Sequence, residues 1–249
     1  MRRSFRSALK RLVGRRHRRG ADPYFVTRQL IETDAPMIFD VGANVGATAL
    51  RYRDLFPAAT IHCFEPYPPS FLRLSAALAG DHHTSLHPFA LSSAPGRASF
   101  KVNRNAETNS LLASDGSAER YWGTGLLETE GEIEVDVRTL DLFCTDHDVA
   151  RVNVLKLDVQ GSEYAVLEGA TDMLAAQRID LVYAEVIIAP TYVGQRSLVD
   201  YLALLSAQGY ELFDLYNPTR KNNRLIQTDI IFVSGALLAR YERGKAAID

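Results

Sequence analysis

The chain has 249 residues, 47% hydrophobic and 23% charged, with a net charge of −2. These values suit an ordinary globular protein, and no apolar run approaches the roughly 20 residues that span a bilayer. The charge is uneven: residues 1–20 carry eight Arg and one Lys with no acid, which leaves −11 on the other 229 residues. So acidic a body excludes nucleic acid as the main partner.

In chain order, residues 1–20 form a basic arm whose Phe5, Leu9, Leu12 and Val13 fall on one helical face. Two fates are open to it, a disordered tail or an amphipathic helix in peripheral contact with an anionic membrane. Residues 21–249 are expected to form a single domain. A helix over 24–32 leads into a first strand at 37–40, then a turn built on Gly42, Asn44 and Gly46, then a helix over 47–56 stopped by Pro57. A second strand at 60–64 ends in Glu65-Pro66, and Pro68-Pro69 opens a helix that ends near Gly80. The third strand, 85–91, contains Pro88, which belongs at a sheet edge or a bulge.

Alternating segments at 98–102 and 133–137 suggest an antiparallel pair around a polar insertion, 103–132, read as a lid and holding the single Trp. A short helix over 139–147 precedes an apolar strand at 152–157 that ends in Asp158. A helix over 163–176, a strand at 180–186 and a helix over 195–208 follow. Strands at 210–215 and 230–233, with no helix between them, should pair antiparallel. The result is an α/β fold: a doubly wound, seven-stranded, mostly parallel sheet with a terminal antiparallel strand pair. Cys63 and Cys144 are far apart, with no CxxC pair, so both are read as reduced core thiols of a cytoplasmic protein without a metal site.

Ligands in such sheets bind at the carboxyl ends of the strands. A glycine turn at one strand tip and an acid at the next, about 20 residues on, describe a nucleoside site. Dinucleotide folds place a glycine where this chain has Asn44, whose side chain would crowd a pyrophosphate. S-adenosylmethionine has no pyrophosphate and fits. Asp40, Gly42, Asn44 and Gly46 would hold its methionine end, Glu65 its ribose hydroxyls, with Pro66 keeping Glu65 extended, and Phe89 and Ala90 its adenine. Asp158, at the fourth strand's tip, is the candidate general base, with a turn cap or cofactor ligand as its plainer role. Glu185 lies next along the crevice and would hold the acceptor, or bind Mg²⁺ together with Asp158. His62 reads as core, His87 as a distant second choice for the base, and Glu163 as an acid favoured at a helix start.

The runs DVGANVG, CFEPYP, HPFALSSAPG, NSLL, VRTLD, LKLDVQGSEYAVLEGA and YAEV, in that order, resemble the FkbM-type S-adenosylmethionine-dependent methyltransferases from about Met37 to Val233. That family usually carries Glu where this chain has Gln160. The resemblance implies a class I, Rossmann-like methyltransferase fold and O-methylation of a hydroxyl on a sugar, glycolipid or polyketide-type small molecule. A nicotinamide-dependent oxidoreductase and a non-catalytic binding module are the alternatives.

Overall fold

A computed structural model describes residues 22–246; the basic arm and its expected membrane contact lie outside the described residues. The strands are β1 (Met37–Val41), β2 (Thr60–Phe64), β3 (Thr84–His87), β4 (Ala90–Leu91), β5 (Gly96–Asn103), β6 (Thr129–Arg138), β7 (Val152–Leu157), β8 (Ile179–Ile187), β9 (Tyr210–Lys221) and β10 (Arg224–Ser234). The helices are α1 (Pro23–Leu30), α2 (Ala47–Leu55), α3 (Pro68–Ala77), α4 (Glu119–Trp122), α5 (Leu140–Asp146), α6 (Glu163–Glu168), α7 (Thr171–Ala175), α8 (Leu198–Ala207) and α9 (Gly235–Ala246).

Seven strands form one sheet in the order β3-β2-β1-β7-β8-β10-β9, with β10 antiparallel to both its neighbours. The sheet is covered on both faces, which is why its strands read as continuous apolar runs. Alternate residues feed opposite cores: Phe39, Leu155, Val182 and Phe232 enter one, and Ile38, Val154, Leu181 and Ile231 the other. Helices α5 to α8 cover the first face through residues such as Phe143, Val166, Met173 and Tyr201. Helices α1, α2, α3 and α9 cover the second through Leu30, Tyr52, Leu74 and Leu237.

Several elements depart from the expected bounds. The third strand breaks at Pro88: β3 stays at the sheet edge, while β4 turns into a separate three-stranded sheet beside β6, which pairs with β5. The expected helix over 163–176 is two, α6 and α7. Gly169 lies between them, and a side chain there would place its Cβ 2.1 Å from the Ser92 carbonyl oxygen, so backbone packing bends the chain at that point. The insertion is shorter than expected because β6 begins at Thr129, drawn into the ladder by pairs such as Lys101 with Glu132. The last two strands are long arms of one hairpin, joined at Asn222-Asn223, both left-handed at φ 50° and 62°. Two such residues in succession make the mirror-image turn that matches strand twist.

Candidate active site

The tips of β1, β2 and β7 meet at one crevice. Gly42 follows β1 at φ +82°, and a Cβ there would fall 1.9 Å from the Asp158 carbonyl oxygen. Only glycine lets the β1 and β7 tips pass so closely. The N–H groups of Gly42 and Ala43 both donate to the Phe64 carbonyl, at 3.0 and 3.1 Å, which ties the turn to β2. Asn44 is left-handed, at φ 47°. Its N–H donates to Glu65 Oε2 at 2.9 Å, and its Oδ1 accepts from Ser70 Oγ at 3.1 Å. The other Glu65 oxygen accepts the Tyr67 N–H at 2.8 Å. Burial raises the Glu65 pKa, and these two N–H donors oppose that rise. The carboxylate is therefore fixed in place, with lone pairs left for a ligand.

A cavity of about 370 Å³ lies over these turns. Gly42, Asn44, Glu65, Pro66, Ala90, Asp158 and Glu185 line it, with Phe64, Leu91 and Phe100 as apolar wall. Asn109 and Ser162 also belong to the wall, and Asn109 Nδ2 and Ser162 Oγ are buried without a hydrogen-bond partner.

Four expected residues lie elsewhere. Asp40 sits behind the wall, 1% exposed, because its place inside β1 aligns it with Cys63 and Lys156 in the neighbouring strands. Burial pushes its pKa up to about 7, with Asp158 and Glu65 adding to the rise and Lys156 opposing it. Gly46, left-handed at φ +91°, faces Leu74 and serves the packing of α2 on α3. Phe89 turns away from the cavity into a cluster with Phe64, His87 and Phe143, under the Arg138 guanidinium, because the bend at Pro88 points it there. His87 belongs to the same cluster: it stacks on His62, its Nε2 3.0 Å from His62 Nδ1. Burial lowers the pKa of both imidazoles to about 4.

The two acids are joined by Gln160, left-handed at φ 55°. Its Nε2 donates to Asp158 Oδ1 at 3.1 Å and to Glu185 Oε2 at 2.8 Å, and its Oε1 accepts from the Tyr192 hydroxyl at 3.0 Å. Its own carbonyl accepts from Ser110 Oγ at 2.7 Å, which ties this turn to the insertion. Gln227 Nε2 donates to the second Glu185 oxygen. Burial drives the Glu185 pKa well up, and the Asp158 charge adds to it. Lys156, 3% exposed, lies 3.5 Å from Asp158 Oδ2 and over the Tyr183 ring. Burial opposes its charge, but Asp158, Glu185 and Asp229 more than offset that, and its pKa is raised. Glu163 folds back to accept the Val159 and Gly161 N–H groups at 2.8 and 3.3 Å, shaping the loop that carries Gln160. Among the described residues no group of three or more His, Cys, Asp or Glu is placed to hold a metal ion. Between Asp158 and Glu185 stands an amide donor.

Sequence reading gave no role to Lys156 or to Glu107, and marked Asn109 only as the first residue of the NSLL run. Lysine inside an otherwise apolar strand, two residues before an acid, was the available signal for the first. Glu107 carries no periodicity that could single it out.

The methyltransferase FkbM domain matches residues 40–212 of this chain. The chain is similar to 2-O-methyltransferase NoeI of Sinorhizobium fredii, 29% identical over 184 residues that cover 71% of this chain and 73% of that protein. It is also similar to hexuronic acid methyltransferase AglP of Haloferax volcanii, 30% identical over 164 residues, 65% of this chain but only 61% of the relative. In fold it resembles the crystal structure of methyltransferase FkbM from Methylobacillus flagellatus, with a TM-score of 0.54 and 16% identity. That match covers 80% of this chain and 44% of the other.

Proposed function

The chain belongs to the FkbM methyltransferase family, and from that premise we propose an S-adenosylmethionine-dependent O-methyltransferase acting on a hydroxyl of a sugar or another hydroxylated small molecule. The observation that carries this reading is Glu185, a half-buried carboxylate that borders the larger cavity and a smaller one beside it.

The larger cavity fits the cofactor. Glu65 would take the ribose hydroxyls, and Ala90, Leu91 and Phe100 offer an apolar slot for adenine. The unpartnered Asn109 Nδ2 and Ser162 Oγ are donors for a carboxylate at the methionine end. When bound, the cofactor supplies an electrophilic methyl group, which leaves the protein to orient the acceptor oxygen and remove its proton. We assign proton removal to Glu185. Its raised pKa makes it a stronger base than an exposed carboxylate, and Gln160 and Gln227 fix both its oxygens. Asp158, paired with Lys156 and absent from the smaller cavity, keeps that base poised and faces the cofactor side. This moves the base from Asp158, the sequence expectation, to its neighbour. Of the two named relatives, the 2-O-methyltransferase supports an oxygen acceptor and the hexuronic acid methyltransferase supports a sugar.

The test is an acceptor screen with methyl-labelled cofactor, run beside Glu185→Gln and Asp158→Asn. Label should enter an ether on a hydroxylated acceptor. Glu185→Gln should lower turnover by about 10²–10⁴ with cofactor affinity kept. Label appearing at nitrogen or carboxyl, or turnover unchanged in Glu185→Gln, would contradict the reading.

A further inference from the structure

Beside the cofactor cavity lies a second one of about 190 Å³, sharing Glu107, Gln160 and Glu185 with the first. It is built where the insertion meets the end of β8 and the middle of β10. Trp122 supplies an aromatic wall, held by its Nε1 donating to Thr191 Oγ1 at 2.7 Å. Tyr192 is 2% exposed, and its hydroxyl lies 2.9 Å from the Thr108 carbonyl oxygen and 3.0 Å from Gln160 Oε1. Gln227 closes the far side against Glu185.

We infer that this second cavity is the acceptor subsite, and that it selects a single uncharged, hydroxyl-bearing ring over a carboxylated or phosphorylated one. The inference rests on the O-methyltransferase reading above and deepens it. Size sets the first limit: the space is below the roughly 300–1,000 Å³ of drug-sized pockets, enough for one ring. The wall is amphipathic, as a saturated ring with hydroxyls requires, since such a ring has an apolar C–H face and a polar rim. Trp122 and Ile187 meet the face, and Gln227, Thr191 and the two glutamates meet the rim.

Charge sets the second limit. Among the described residues lining this cavity there is no Lys, Arg or His, and none lines the larger cavity either. Among the described residues, Glu107 and Glu185 are the only charged side chains on its wall, and Asp158 stands just beyond. A carboxylate on the ring would bring a further anion into a space with no cation to meet it, and like charges so placed repel strongly when shielded from water.

The single Trp of the chain makes the subsite observable, because its emission reports only Trp122. The experiment uses the full chain saturated with S-adenosylhomocysteine, with that binding confirmed by calorimetry in the same sample. Neutral methyl glycosides and methyl uronides of the same ring configuration are then titrated while Trp122 emission is followed. Neutral glycosides should give a saturable change. The matching uronides should bind at least about tenfold more weakly, and Glu107→Gln should narrow that gap. Uronides binding as well as neutral rings, or no response to either class in protein that binds S-adenosylhomocysteine, would overturn the subsite alone. Failure to bind S-adenosylhomocysteine at all would overturn the reading on which it rests.

Discussion

Gln160 decides how the two acids of the site behave. Its amide donates to both, so each carboxylate is oriented, and the pair sits in one frame with Tyr192. On the proposed role, Glu185 must be unprotonated to accept a proton, so turnover should rise with pH through its raised pKa, above the ordinary carboxylate range. Glu185→Gln should abolish that limb. Gln160→Ala should lower turnover by about 10–100-fold with cofactor affinity kept, since only the orientation of the base is lost. Gln160→Glu should instead keep activity at high pH and move the limb upward, because a third negative charge disfavours ionising Glu185. A pH-rate profile of the three variants checks all of this, and an unshifted limb in Gln160→Glu would detach residue 160 from the base. The sequence marked position 160 as a departure from the family pattern but gave no role for it. Its reach depends on a left-handed backbone and on Ser110 and Tyr192, 50 and 32 residues away, which no local pattern encodes.

The turns that bring strand tips together are the critical elements. At Gly42 the β1 and β7 tips leave no room for a Cβ, and the backbone is left-handed as well. Gly42→Ala should therefore cost about 2–4 kcal/mol, read as a lowered denaturant midpoint, and should weaken cofactor binding in parallel. Asn223→Gly, at a left-handed position in an exposed hairpin turn, should leave stability unchanged or slightly raised. If both substitutions were equally harmless, backbone approach at Gly42 would not be limiting. Strand and helix positions around the cofactor cavity were legible because apolar runs, Pro and Gly punctuate them. The misreadings arose where packing between distant backbones overrode local propensity, at Pro88 and at Gly169 against Ser92. The final antiparallel pair was legible, but its strands were read too short because Asn222-Asn223 lacks the glycine that usually marks such a turn.

At the scale of the whole molecule, two sets of buried groups pull stability in opposite directions with pH. His62 and His87 have pKa values lowered to about 4, so the unfolded chain binds more protons between about pH 4 and the ordinary imidazole value near 6.5. Their contribution is fully present above that window and is lost as pH falls through it. Asp40 and Glu163, raised to about 7, do the reverse: the folded state holds their protons longer, and stability is lost as pH rises from about 4 to 7. Glu65 and Glu185, whose pKa values are raised as well, act in the same sense as Asp40, so these acids oppose the imidazoles across this window. Asp40→Asn removes one opposing contribution, so relative to wild type it should gain on the order of 2–4 kcal/mol between pH 4 and 8. Its loss of stability on acidification should be correspondingly steeper than that of wild type. Thermal melts across that range check the sign, and a pH-independent difference between the two proteins would show that Asp40 does not titrate there. The central claim, that a nucleoside cofactor without a pyrophosphate is gripped by Glu65 at the second strand's tip, is tested most directly by calorimetry. The account predicts that wild type binds S-adenosylhomocysteine and not NADH, and that Glu65→Ala, still folded, loses about 1.5–3 kcal/mol of that affinity. Binding of NADH instead, or unchanged affinity in Glu65→Ala, would contradict it.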